Sequence, residues 1–184
     1  VNLEDAISEV IEALNEIKVS YMLVGSFSSM YYSFPRSTVD ADFVVGTQDL
    51  DVDRLSILLG ERFKFDPQLS FEAVGGSIRN EIEIKGTPFR IELFRLTDEP
   101  FDRLRFERRR EIILFGKHVW IPTVEDVILQ KLIWDRPKDR DDVAGVIEAN
   151  RESLDEDYLH FWASRLGLTD KLLRAGARHH DSAG

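Results

Sequence analysis

The sequence contains no cysteine, which excludes disulfides, thiolate-bound zinc and a cysteine nucleophile, and removes the usual sign of a secreted chain. Long apolar runs are also missing. Stretches such as Tyr21 to Val24 and Ile112 to Phe115 fall far short of the roughly 20 residues that a membrane-spanning helix needs. No basic-then-apolar segment opens the sequence, so a cytoplasmic location without membrane association is the expectation. Positive charge is scarce: 24 Lys and Arg stand against 34 Asp and Glu, a net charge of −10, which argues against polyanion binding over the whole surface. One basic segment departs from this balance, Arg103-Leu104-Arg105-Phe106-Glu107-Arg108-Arg109-Arg110. It is either a local basic patch or, since charge clusters of this kind are usually solvated, an exposed strand or loop face.

What remains is the composition of an ordinary folded protein. With 43% hydrophobic and 32% charged residues over 184 positions, the chain can bury a core as one domain, or as one domain with a helical appendage. Leu3, Ala6, Ile7, Val10, Ile11, Leu14 and Ile17 recur at helical spacing, with Asn2 placed to cap them. Tyr21 to Val24 reads as a short strand stopped by Gly25-Ser26, and Phe27 to Tyr32 as a short helix ending before Pro35. Asp40 to Val45 is a second strand. Thr47 to Leu59 reads as a helix with a threonine cap and acids at Asp49 and Asp51. Two hairpins follow: Ser77 to Ile84 with Phe89 to Leu96 through Lys85-Gly86-Thr87-Pro88, and Glu111 to Leu114 with His118 to Ile121 through Gly116-Lys117. After Pro122 the pattern turns helical, over Thr123 to Trp134, Asp139 to Ala149, Asp155 to Leu166 and Thr169 to Ala175. The expected division is a mixed α and β core over residues 1–121, a C-terminal helical module packed on it over 122–177, and a disordered tail over 178–184.

The chemistry gathers around one strand. Asp40 and Asp42 alternate, so both carboxylates leave the same face. Two anions so close repel unless a cation lies between them, and Mg²⁺, or Mn²⁺ in its place, suits oxygen ligands and bridges carboxylates to phosphates. Gly25 has no Cβ and lets a phosphate approach the backbone, Ser26 offers a hydroxyl, and the following helix presents free N–H groups. Ser26 as an N-cap is compatible with that role. Arg36 and Thr38 lead into the acidic strand, and Arg36 either orients the loop or touches a triphosphate.

The string Val24-Gly25-Ser26, followed after thirteen residues by Asp40-Ala41-Asp42 with Arg36-Ser37-Thr38 before it, resembles the signature of the polymerase-beta-like nucleotidyltransferases. That resemblance implies an α+β fold with a mixed sheet flanked by helices and a helical module after it. It also implies transfer of a nucleoside monophosphate from an NTP, with Asp40 and Asp42 on the metal. The family's third carboxylate falls at Glu92, within Arg90-Ile91-Glu92-Leu93-Phe94, where the commoner residue is Asp. As a metal ligand Glu92 would also position or deprotonate the acceptor; the competing reading is an outward-facing residue of an amphipathic strand.

The second half resembles the AbiEii-like bacterial nucleotidyltransferases, often paired with an antitoxin, on Lys131 and on Arg136-Pro137-Lys138-Asp139-Arg140-Asp141-Asp142. The resemblance implies a toxin–antitoxin role and a cognate antitoxin-like partner. Lys131 lies on the apolar stripe of its helix, three residues after Ile128, so it needs an anion. Two partners remain open: the triphosphate of the substrate, or Asp142 across a helix seam. RNA or tRNA ends, a protein side chain and a small molecule all fit as acceptor. A non-catalytic binding module is the rival from another class. A metal phosphohydrolase is disfavoured because His-Asp metal motifs are absent, and His160, His179 and His180 show no ligand spacing. Trp120, Trp134 and Trp162 are expected to pack.

Overall fold

A computed structural model describes residues 2–46, 50–66, 68–74 and 76–177. By compactness these fall into two units, one of residues up to 26 together with 37–122, the other of residues 27–36 together with those from 123 onward. The boundary after Pro122 lies one residue beyond the expected one, and the short segment 27–36 goes with the helical unit. The expected disordered tail lies outside the described residues.

The first unit opens on α1 (Leu3–Glu16), started by an Asn2–Asp5 capping box in which each side chain meets the other residue's backbone N–H. Its apolar stripe, Leu3, Ala6, Ile7, Val10, Ile11, Ala13 and Leu14, is buried. The main sheet is built from β1 (Tyr21–Val24), β2 (Asp40–Val45), β3 (Phe63–Phe65), β4 (Ser70–Glu72), β5 (Ser77–Ile84) and β6 (Arg90–Arg95). Its order is β1-β2-β6-β5-β3, with β4 also paired to β5. β2 and β6 run parallel and every other pair is antiparallel, so the sheet is mixed. A separate hairpin, β7 (Arg110–Leu114) with β8 (Lys117–Ile121), completes the β structure.

Alternation along the strands sorts the faces. Tyr21, Leu23, Ala41, Phe43, Ile82, Ile84, Ile91 and Leu93 are all within 2% of fully buried and form one apolar face, with the Tyr21 and Phe43 rings meeting edge to face at 5.9 Å. The other face is divided. At one end Met22, Val24, Val44 and Phe94 pack under Phe106; at the other the same strands carry Asp40, Asp42 and Glu92.

Four elements differ from expectation. The helix expected from Thr47 is α3 (Val52–Leu59), capped by Asp51, whose side chain accepts from Arg54 N; Thr47 and Asp49 lie outside the described residues. The arginine-rich segment is not a solvated strand or loop. Most of it is α4 (Pro100–Glu107), with Pro100 in its first turn and Phe101, Arg105 and Phe106 buried. Arg105 pairs with Asp102 at 2.9 Å, and Arg109 stacks on Phe106 and Trp120 at 4.2 and 5.1 Å. β3 and β4 had no expectation at all.

The second unit contains most of α2 (Gly25–Tyr32), which begins in the first, and then α5 (Val124–Trp134), α6 (Pro137–Asn150), α7 (Glu156–Arg165) and α8 (Thr169–Ala177). Thr123 caps α5 by accepting from Asp126 N. Asp126 is itself fully buried, taking hydrogen bonds from Thr123 Oγ1 at 2.8 Å and from the Tyr158 hydroxyl at 2.6 Å, which joins α5 to α7. Among the described residues no helix is long and apolar enough to cross a membrane.

Candidate active site

The acidic face is built by strand register. On β2 the side chains of Ala41 and Phe43 go into the core while Asp40 and Asp42 are half-buried on the opposite face. Asp42 is level with Val24 on β1 and with Glu92 on β6, and Glu92 is in turn level with Glu81 on β5. Three carboxylates from three adjacent strands therefore stand in one row, with Asp40 one step along. The structure thus brings together Asp40, Asp42 and Glu92, and it resolves the position of Glu92: it is on the acidic face, level with Asp42.

The electrostatics follow from that row. Burial, and then the neighbouring charge of Asp42, push the Glu92 carboxyl up to about 7, while Arg79 pulls it the other way. Arg79 Nη1 lies 3.4 Å from Glu92 Oε1, and its guanidinium sits 5.8 Å over the Phe94 ring. Arg79 and Glu81 escaped the sequence reading. Their signal was the alternation Arg79, Glu81, Glu83 along one strand face, which means nothing until β5 is placed beside β6.

Gly25 follows β1 with φ +63 and begins α2. A Cβ built on it would lie 2.0 Å from Asp42 Oδ2, so this position is glycine because the Asp42 carboxylate lies against its backbone. The reason expected from sequence was phosphate access; the contact with Asp42 is a separate one. Ser26 is buried in the first turn of α2, at the helix end whose dipole favours an anion. Thr38 Oγ1 bonds the Asp40 backbone twice, donating to its carbonyl at 3.1 Å and accepting from its N–H at 3.3 Å, and so shapes the entry to the acidic strand.

Among the described residues, no three or more His, Asp or Glu side chains are grouped closely enough to hold a metal ion by themselves. The donor set nevertheless fits Mg²⁺ or Mn²⁺. Mg²⁺ commonly takes one or two carboxylates and completes its shell with water and substrate phosphates, and Asp40 with Asp42 supplies hard oxygens of the right kind. Burial is the main reason the Glu92 carboxyl is raised, and the charge of Asp42 adds to it.

The second unit holds its own buried charge cluster. Lys131, 3% exposed, donates to Asp139 Oδ1 at 3.1 Å and to Asp142 Oδ2 at 2.8 Å. Arg136 adds a bond to Asp139 Oδ2 at 2.5 Å. Arg36 grips Asp142 in a fork, Nε to Oδ1 and Nη2 to Oδ2, both at 3.0 Å. Ser29 Oγ donates to the same carboxylate at 3.2 Å. Burial pushes the two aspartates up, but the hydrogen bonds and charges of Arg136, Arg36 and Lys131 outweigh it and hold both below the usual carboxylate range. Arg36, considered for the triphosphate, has Asp142 as a partner, and so does Lys131. Two of the three N–H donors of Lys131 are taken by carboxylates. Ser29 was not anticipated. Of the histidines considered, His160 is exposed beside Glu156, and His179 and His180 lie outside the described residues.

No family model matches the sequence, and no curated protein matches it either. Solved structures do. The solution structure of the antibiotic-resistance factor ANT(2'')-Ia superposes with a TM-score of 0.60 at 12% identity, covering 96% of this chain and 97% of that one. The same factor in complex with adenylyl-2''-tobramycin gives 0.51 at 14% identity over 98% of both chains. The lincosamide antibiotic adenylyltransferase LnuA, lincomycin-bound, gives 0.54 at 12% identity, covering 79% of this chain and 96% of that one. With its mixed sheet, its acidic strand and its glycine turn into α2, this chain has the nucleotidyltransferase fold.

Proposed function

We propose that the protein is a divalent-metal-dependent nucleotidyltransferase that moves a nucleoside monophosphate from an NTP to a hydroxyl acceptor. The observation that carries this reading is the row Asp42–Glu92, with Asp40 one step along, set against the glycine that opens α2. Asp40 and Asp42 would hold the cation, which when bound supplies charge neutralisation along the triphosphate. The backbone N–H groups at the start of α2 suit a phosphate. Glu92 is the general base. Its place on the acidic face, level with Asp42, is what suits it to take the proton of an acceptor hydroxyl. The acceptor oxygen then forms a bond to the α-phosphorus, the bond from that phosphorus to the α–β bridging oxygen breaks, and pyrophosphate leaves with the electron pair.

The acceptor is a small hydroxylated molecule in this reading. A net charge of −10 disfavours RNA or tRNA, and the fold neighbours bind or act on antibiotics of that size. The test is incubation of the full chain with each labelled NTP, Mg²⁺ and a cell extract. Label in the small-molecule fraction and release of pyrophosphate are expected. Label on tRNA or on a co-purifying protein would transfer the acceptor to that class, and label on a protein partner would favour the antitoxin-type system that the sequence resembles.

One observation favours a second reading, a non-catalytic nucleotide-binding module: Arg79 already engages Glu92. In that case nucleotide binds with metal and no pyrophosphate is released from any NTP.

A further inference from the structure

A cleft of about 210 Å³ opens in the second unit between α5, α6 and α8. Each helix contributes one face: Leu132 with Asp135 at the end of α5, Arg140 with Val143 on α6, and Lys171, Arg174 and Ala175 on α8. Leu132, Val143 and Ala175 make a buried apolar floor, and the polar groups stand around it. Asp135, held in the left-handed region at φ 54 as the C-cap of α5, accepts from Arg140 Nε at 2.6 Å and pairs with Lys171 Nζ at 3.1 Å. Lys171 also donates to the Leu132 carbonyl at 3.2 Å, which satisfies a free acceptor at the end of α5. Arg174 has no hydrogen bond or ion pair among the described residues.

Three cations thus line the cleft against a single carboxylate, an excess of two positive charges in a chain whose total charge is −10. Asp135 already occupies Arg140 and Lys171 in part, so its own charge is accounted for and the excess is left unanswered. A phosphomonoester carries about −1.5 to −2 charges near neutrality, which matches that excess. Guanidinium groups bind its oxygens in a planar fork. The volume is below the roughly 300 Å³ at which pockets for drug-sized ligands begin, so the ligand is small. We propose that this cleft is a binding site for a small phosphate-bearing anion, held by Arg174 and Lys171 of α8 and Arg140 of α6. Binding there crosslinks α6 and α8 over the end of α5. It therefore also braces the α5–α6 seam, because Leu132, Arg140 and Val143 directly follow Lys131, Asp139 and Asp142 in sequence.

The full chain, without divalent metal, is titrated calorimetrically with inorganic phosphate and, in a parallel arm, with glycerol phosphate, and its Tm is followed with each. Binding with a rise in Tm is expected in at least one arm, and the tighter arm tells free phosphate from a phosphomonoester. Arg174→Gln, which removes a side chain without partners and so leaves folding intact, should weaken binding about tenfold or more. Lys171→Gln should do the same, while Asp42→Asn should leave it unchanged. No binding in either arm, unaltered binding in Arg174→Gln, or loss of binding in Asp42→Asn would each overturn the assignment.

Discussion

The carboxylate of Asp42 occupies the space in which a side chain at Gly25 would begin: a Cβ there would stand 2.0 Å from Oδ2 and 2.9 Å from Cγ. Gly25→Ala must therefore rotate Asp42 away from its place beside Asp40, and it also puts alanine at φ +63, a conformation that costs about 1 to 2 kcal/mol. We expect the variant to fold with reduced stability and to lose metal-dependent nucleotide turnover. Urea denaturation and a Mg²⁺ titration of pyrophosphate release check the two halves. Wild-type Mg²⁺ dependence would mean that the contact with Asp42 has no catalytic importance.

Asp40→Asn and Asp42→Asn should each abolish turnover. Both should leave stability unchanged or slightly raised in metal-free buffer, because each removes one member of a crowded anionic row. Asp42→Asn should have the larger effect on Glu92, since Asp42 is the strongest charge acting on it. Full activity of both variants at ordinary Mg²⁺ would remove the metal assignment.

Glu92 predicts a pH dependence with a definite sign. Its folded-state value, about 7, lies above the ordinary 4.5, so between these values the folded protein holds more protons than the unfolded chain. Stability from this group is full below pH 4.5 and falls as pH rises through 7, by on the order of 2 kcal/mol. Glu92→Gln should flatten that slope in metal-free urea titrations. The same variant should lose turnover far more than nucleotide affinity, as expected of a group acting on the acceptor. If both the slope and the activity are unchanged, Glu92 is an ordinary strand-face glutamate.

Lys131→Met separates support from substrate binding. The ammonium is shared by two buried carboxylates, and removing it costs about 3 kcal/mol, the lower end of the range for a broken buried pair. Arg36 and Arg136 remain to hold Asp142 and Asp139, which keeps the cost there. Combining it with Asp142→Leu should recover only part of the loss, because Asp139 stays buried. A double-mutant cycle in urea beside NTP affinity for the four proteins measures both roles. Strong coupling with unchanged affinity would make Lys131 a structural tie alone.

Much of this molecule was readable from spacing. The stripe of α1, its Asn2 cap, the alternation of Asp40 and Asp42, both hairpin turns and the Thr123 cap of α5 depend on residues within a few positions of one another, and the covalent geometry of helix and strand sets those periods. Where local signals were overlaid the reading failed. In α4 the density of arginine concealed the buried spacing of Phe101, Arg105 and Phe106. β3 and β4 are only three residues each, too short for any period, and exist because β5 offers an edge to pair with.

The sequence alone put Asp40 and Asp42 on one face of their strand as candidates for a metal, and it left the face of Glu92 open. Only the tertiary structure decided what they face. Asp42 and Glu92 are level because β2 and β6 are parallel neighbours, though β3, β4 and β5 come between them in the chain. That adjacency, the arrival of Arg79 from β5 and the sharing of Lys131 between two aspartates are set by which apolar faces bury together. No local period encodes such pairings, because the energy that selects them comes from contacts formed only when the whole sheet or helix bundle has assembled.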